Sequence, residues 1–146
     1  MCADKTELAR QFIELIPQAR ALGMDILQIE DGVAVIRMPY DPALVGDPDT
    51  GVIHGGAVST LMDTCGGAAT MAHPTSPGGT ATISLRIDYL RGAKPGDAIT
   101  ARAECYHITR AVAFVRATAH DSDPSQPVAT ATGTFTVEPR RPEVTS

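Results

Sequence analysis

An antiparallel α+β sheet wrapped around one long helix is the fold class this 146-residue sequence predicts. Three observations predict it. A proline-free stretch from residue 56 to 72, apolar on nearly every side, reads as a mostly buried helix. Four segments of strand character follow it without interruption, so no strand–helix–strand alternation exists to build a parallel sheet. Hydrophobic residues at 43% and charged residues at 20% are ordinary globular values, sufficient in a chain of this length for a single core.

Asp4 and Glu7 have the spacing of a capping box, and Leu8, Phe12, Leu15 and Ile16 recur at helical spacing until Pro17 and Gly23 interrupt. An amphipathic N-terminal helix follows. Leu27 and Ile29 alternate with Gln28 and Glu30, and Asp31-Gly32 supplies the positive-φ positions of a tight hairpin into a second strand, Val33 to Met38. Pro42, Gly46, Pro48 and Gly51 make Pro39 to Ile53 a long irregular connection, of the kind that often serves as a binding loop. Within the central helix Gly66-Gly67 costs about 1 kcal/mol per residue relative to alanine, which close packing against a neighbour would justify.

Pro74, Pro77 and Gly78-Gly79 end that helix. Ile83, Leu85, Ile87 and Tyr89 then alternate with Thr82, Ser84, Arg86 and Asp88, the clearest strand in the chain. Gly92 to Gly96 turns into a strand from Ile99 to Ile108, Thr109-Arg110 into one from Val112 to His120, and a polar loop from Asp121 to Pro127 into a last one, Val128 to Val137. Residues 1–137 thus read as one domain, and Glu138-Pro139-Arg140 opens a polar tail, 138–146, expected to fray. No internal repeat is present.

A net charge of −5 argues against a nucleic-acid surface, and no like-charge block marks a membrane contact. No run approaches the length of a membrane span, and the polar N-terminus is unlike a secretory signal, so the expected location is the cytoplasm. Cys2, Cys65 and Cys105 are odd in number and far apart, which fits reduced thiols, with Cys65 and Cys105 as small core residues. His73, His107 and His120 lack the close spacing of metal ligands, and no metal is expected.

The chemistry concentrates at His54-Gly55-Gly56 and Asp63. Paired glycines where a helix opens leave free N–H groups at the positive end of the helix dipole, an arrangement that holds an oxyanion. Asp63 follows Gly56 by seven residues, two turns on, among Val58, Leu61, Met62, Cys65 and Ala68, where a carboxylate is costly to bury without a purpose or a partner. Donors plus a desolvated base point to acyl-group chemistry. The small residues Ala68, Ala69 and Ala72 leave room for an acyl group beside that carboxylate.

Gly51-Val52-Ile53-His54-Gly55-Gly56-Ala57, Leu61-Met62-Asp63-Thr64 and Asp88-Tyr89-Leu90 together resemble the PaaI-like family of hotdog-fold acyl-CoA thioesterases, over residues 20 to 137. The resemblance implies a homodimer, often a dimer of dimers, with each active site across a subunit interface. It implies that the Gly55 N–H, with Gly56 and His54 beside it, polarises the thioester carbonyl, and that Asp63 of the partner subunit is the nucleophile or the general base. The Ser or Thr that steadies the water or carboxylate falls at Thr82, although strand alternation puts Thr82 on the face opposite Ile83 and Leu85. Arg91, Lys94 and Arg110 lie in turns where relatives contact coenzyme A phosphates. No cofactor is implied, since coenzyme A is part of the substrate. The sequence departs from the family in one place: Pro48, flanked by Asp47 and Asp49, stands six residues before His54, where many relatives carry an Asn that donates to the carbonyl, and a proline cannot donate.

Two other functions fit parts of the pattern. Hotdog enoyl-CoA hydratases or dehydratases use an Asp five residues before a His, the separation of Asp49 and His54, but the residues between them differ here. A non-catalytic acyl-CoA binding module would keep the pocket and have little use for Asp63.

Overall fold

Alternation in the sequence becomes a six-stranded antiparallel sheet in the computed structural model, which describes residues 5–140 and 142. In chain order the elements are α1 (Lys5–Leu15), α2 (Pro17–Ala21), β1 (Asp25–Glu30), β2 (Val33–Met38), a 3-10 turn (Pro42–Leu44), β3 (Val45–Asp47) and β4 (Val52–Ile53). There follow α3 (Gly55–Ala72), β5 (Gly78–Gly79), β6 (Thr82–Tyr89), β7 (Ile99–Ile108), β8 (Val112–His120), β9 (Ala129–Thr136) and β10 (Glu138–Pro139). The large sheet runs in the order β1-β2-β7-β8-β9-β6, so β1 and β6 are its edges. β3 pairs with β4, and β5 with β10.

The sheet packs one face against α3. Ile36 and Met38 of β2, Ile99, Ala101 and Ala103 of β7, Ala113, Val115, Ala117 and Ala119 of β8, and Ala129, Ala131 and Phe135 of β9 are buried there, at the every-second-residue spacing of a strand. Most are alanines, and a floor of single methyl groups lets a helix come close. At Gly66 a Cβ would stand 2.7 Å from the Phe135 ring, so contact with the sheet requires that glycine, as its position in the sequence suggested. Cys65 is fully buried, its thiol within hydrogen-bond reach of the Ala34 carbonyl at 3.3 Å, and burial pushes the thiol up to about 12.

Two expectations change in the structure. α1 buries Ala9 and Ile13, whereas Phe12 and Leu15 are 46% and 75% exposed; the helix turns its alanine-bearing stripe to the core and leaves the bulkier one outside. Asp4 of the expected capping box lies outside the described residues. Beyond residue 137, Glu138 and Pro139 do not fray but pair with Gly79 and Gly78. That pairing needs a glycine, because a Cβ at Gly79 would sit 2.5 Å from the Pro139 carbonyl oxygen.

Candidate active site

His54 caps α3. With φ −59° and ψ 135° it stays outside the helix while its Nδ1 accepts from the Gly56 N–H at 2.8 Å and its carbonyl accepts from Ala57 N–H at 3.0 Å. An accepting Nδ1 puts the neutral ring's proton on Nε2. The β3–β4 ladder presses on this residue: the His54 N–H donates to Leu44 O at 2.8 Å, and a Cβ at Gly46 would lie 2.8 Å from the His54 Cα. His54 is thus a fixed cap, and it takes the Gly56 amide out of the pool of free donors.

The Gly55 amide is different. It is the first residue of an 18-residue helix, and no acceptor among the described residues engages it. Its carbonyl accepts from Tyr89 Oη at 2.9 Å and Ser59 Oγ at 3.2 Å, and the two hydroxyls are themselves in contact. Tyr89 lies over the glycine, so that a Cβ at Gly55 would meet its ring at 3.4 Å. The face of Gly55 opens into a cavity of about 240 Å³ bounded by Ile53, Val58, Leu90 and Gly92. One free N–H at the positive end of a helix, in a partly apolar recess, suits a developing oxyanion.

Asp63 lies on the same helix, half-buried rather than fully desolvated. Its neighbours Leu61, Met62 and Cys65 turn to the core, and Asp63 faces away from it toward β6. Its Oδ1 accepts from Thr82 Oγ1 at 2.6 Å. Alternation had put Thr82 on the face opposite Leu85; a register shift between Thr82 and Ser84 in the β6–β9 pairing brings it onto the same face as Leu85, toward the helix. Among the described residues no other hydrogen bond engages the Asp63 carboxylate, which is half-buried.

The three basic candidates separate. Arg91 spends its fork inside the chain, with Nη1 2.7 Å and Nη2 2.8 Å from the two Asp121 oxygens and Nη2 also 2.7 Å from Gln126 O. It clamps the loop before β9. Lys94 and Arg110 have exposed side chains but flank opposite ends of the ten-residue β7, about 33 Å apart at strand rise. Asp47 organises the turn around Pro48, accepting from Asp49 N–H at 3.0 Å and Thr50 Oγ1 at 2.9 Å; the Thr50 hydroxyl foremost draws its carboxyl below the usual range. Asp49 is exposed on that turn. Ala68, Ala69 and Ala72, read as room for an acyl group, are core residues at 0%, 0% and 3% exposure. Tyr89, Ser59 and Gly46 shape the site, and the sequence alone assigns none of them a role in it: Tyr89 stands there only in the alternation of β6 and within Asp88-Tyr89-Leu90, and Gly46 only in the loop. Only the tyrosine carried a signal, ending the clean alternation of β6 with a hydroxyl.

Comparison with known proteins gives the family. Residues 50–128 match the model of the thioesterase superfamily. The medium/long-chain acyl-CoA thioesterase YigI of Escherichia coli K12 is 28% identical over 143 residues, 89% of this chain and 91% of that protein. The acyl-coenzyme A thioesterase PaaI of the same organism is 32% identical over 91 residues, 61% of this chain and 60% of PaaI. Its solved structure superposes with a TM-score of 0.80 over 90% of this chain and 91% of that one, at 24% identity. A Pseudomonas aeruginosa protein solved by structural genomics gives a TM-score of 0.80 at 37% identity, over 90% of this chain and 98% of its own. The motif around Gly55, the antiparallel sheet and the long helix are accounted for together: the chain belongs to the thioesterase superfamily and is a PaaI-like hotdog thioesterase.

Proposed function

We propose that the protein hydrolyses an acyl-CoA thioester to the free acid and coenzyme A, as a cytoplasmic dimer whose sites draw on both subunits. The observation that carries this reading is the pair of groups left uncommitted: the Gly55 N–H at the start of α3 and the remaining acceptor capacity of Asp63, steadied by Thr82. Within one chain they are eight residues apart, about 12 Å along the helix, too far for one carbonyl to meet both. A second copy supplies the missing partner. β6 is an edge strand, exposed along its length except at Leu85 and Ile87, which pack on the core. Antiparallel pairing of two β6 strands about their middle sets the Thr82 end of each against the Tyr89 end of the other, and so Asp63 of one copy against Gly55 of its neighbour.

In that arrangement the thioester oxygen takes the Gly55 N–H. Acting as base, Asp63 removes a proton from water as the water oxygen bonds to the carbonyl carbon, and the C=O pair moves onto oxygen. Collapse of the tetrahedral species breaks the C–S bond and releases the thiolate, which is reprotonated. Acting as nucleophile, the same carboxylate bonds to the carbonyl carbon, the C–S bond breaks and the thiolate leaves, and water then hydrolyses the mixed anhydride to the free acid and regenerates Asp63. The exchange puts Arg110 of one copy at the same end of the joined sheet as Lys94 of the other, several strands apart, as cations for coenzyme A phosphates. YigI and PaaI, by their names, act on acyl-CoA, which supports the substrate class. Free-thiol release from acyl-CoAs tests the reading: Asp63→Asn lowers turnover by roughly a hundredfold or more, the contribution of a general base. An unchanged rate removes Asp63 from the mechanism.

A further inference from the structure

The peptide planes on either side of Gly55 are held differently. The plane that carries the Gly55 N–H is fixed at its oxygen end, where His54 O accepts from Ala57 N–H at 3.0 Å. The next plane is gripped at both ends: Gly55 O accepts from Tyr89 Oη at 2.9 Å and from Ser59 Oγ at 3.2 Å, and Gly56 N–H donates to His54 Nδ1 at 2.8 Å. Only the two dihedrals of Gly55 separate the planes, and a residue without Cβ restricts them least. An N–H at the first position of a helix also lacks the intrahelical bond that would hold it. The direction of the amide therefore depends on what holds the neighbouring carbonyl.

The two hydroxyls on that carbonyl are unequal. Ser59 belongs to α3 and moves with it. Tyr89 ends β6, where it pairs with Ala129, and the following Leu90 N–H donates to Val128 O at 2.8 Å, so its ring ties the first turn of α3 to the sheet. It is also the cover of the glycine: the three atoms nearest a Cβ at Gly55 are Cε1, Cζ and Oη of Tyr89, at 3.4, 3.5 and 3.7 Å. The hydroxyls have one proton each and touch each other, so one proton lies between them and the other serves the carbonyl. Tyr89 makes the shorter bond, with Ser59 behind it.

We propose that Tyr89 is a positioning residue for the hydrolysis, keeping the Gly55 N–H aimed at the thioester oxygen through its grip on the Gly55 carbonyl, with Ser59 as the second support. This rests on the thioesterase reading, in which that amide meets the developing charge. A donor aimed in advance needs no reorganisation as the charge appears, and that is the source of its strength. Releasing the backbone of one residue dilutes its working conformation by roughly tenfold. The loss falls on the transition state, where the charge is, and hardly on the bound substrate.

Tyr89→Phe keeps the ring over Gly55 and removes only the hydroxyl. The expected result is a fall of about tenfold in kcat for free-thiol release, with KM and the melting temperature unaltered. Ser59→Ala leaves the shorter bond in place and costs less. The double variant costs more than the product of the two, because either hydroxyl alone can serve the carbonyl. Nuclear magnetic resonance reads the same positioning without turnover: the order parameter of the Gly55 amide falls from the rigid level of about 0.85 toward about 0.6 in Tyr89→Phe. An unchanged kcat, a KM that rises as kcat falls, or a lower kcat with a Gly55 amide as ordered as in the wild type would each overturn the assignment, the last two making Tyr89 a direct contact of the substrate. Loss of order at Gly55 in a protein that cleaves no acyl-CoA defeats the hydrolase reading and leaves the grip of Tyr89 standing. Cleavage by a Tyr89→Phe variant that matches the wild type in rate and in order does the reverse.

Discussion

The oxyanion role proposed for the Gly55 amide can be tested at the backbone. His54 has φ −59° and ψ 135°, the conformation favoured before proline, and Gly55 is the first helical residue, where proline is well tolerated. Gly55→Pro therefore removes the N–H and keeps the helix. The expected result is a fall of about 10²–10³ in kcat for thiol release, with an unaltered circular dichroism spectrum. A fall of less than tenfold in a folded variant would shift the role to another donor. At this scale the sequence was largely informative, because Gly55, His54 and Asp63 sit in one short stretch whose chemistry is local. It misassigned the share of each: Gly56 looked like a second oxyanion donor, yet its amide belongs to His54 Nδ1. The Thr82–Asp63 contact emerged only with the bulge that rotates the start of β6, and a register shift leaves no mark in a pattern of alternating residues.

Among the elements, the Arg91–Asp121 clamp carries a pH dependence. Asp121 is almost wholly enclosed, its side chain 2% exposed, and the Arg91 guanidinium foremost holds its carboxyl far below the usual carboxylate range. Because its folded-state pKa lies below the unfolded value, the stabilisation is complete above about pH 4 and is lost as pH falls toward the folded-state value. Thermal melts from pH 7 down to pH 3 check this. Asp121→Asn lowers the melting temperature at pH 7 by several degrees and flattens the acid limb of the profile; an acid limb identical to the wild type would assign it to other carboxylates. The partners are thirty residues apart in the chain, so Arg91 read alone resembled any basic turn residue. α1 shows the same difficulty in another form. Helical periodicity found the element, but two apolar stripes compete for the core, and only the space beside α3 selects Ala9 and Ile13 over Phe12 and Leu15.

For the whole molecule, the antiparallel α+β architecture followed from the order of strands and one apolar helix, whereas completion of the site by a second copy rests on geometry that spans the chain. Ile83, 54% exposed on the edge strand β6, tests it. Ile83→Glu places a charge at the edge, shifts the protein toward monomer in light scattering and lowers activity with it. Mixing inactive Asp63→Asn and Gly55→Pro after reversible dissociation recovers about a quarter of wild-type activity, since random pairing yields mixed dimers with one intact site each. No recovery from verified mixed dimers would place both groups in one subunit. The alanine floor under α3 has a practical consequence for altering selectivity. Methyl groups at Ala101, Ala103, Ala117 and Ala131 fill their space, so any larger residue there lifts the helix and both reacting ends with it. Mutant libraries aimed at new acyl groups should leave the sheet untouched.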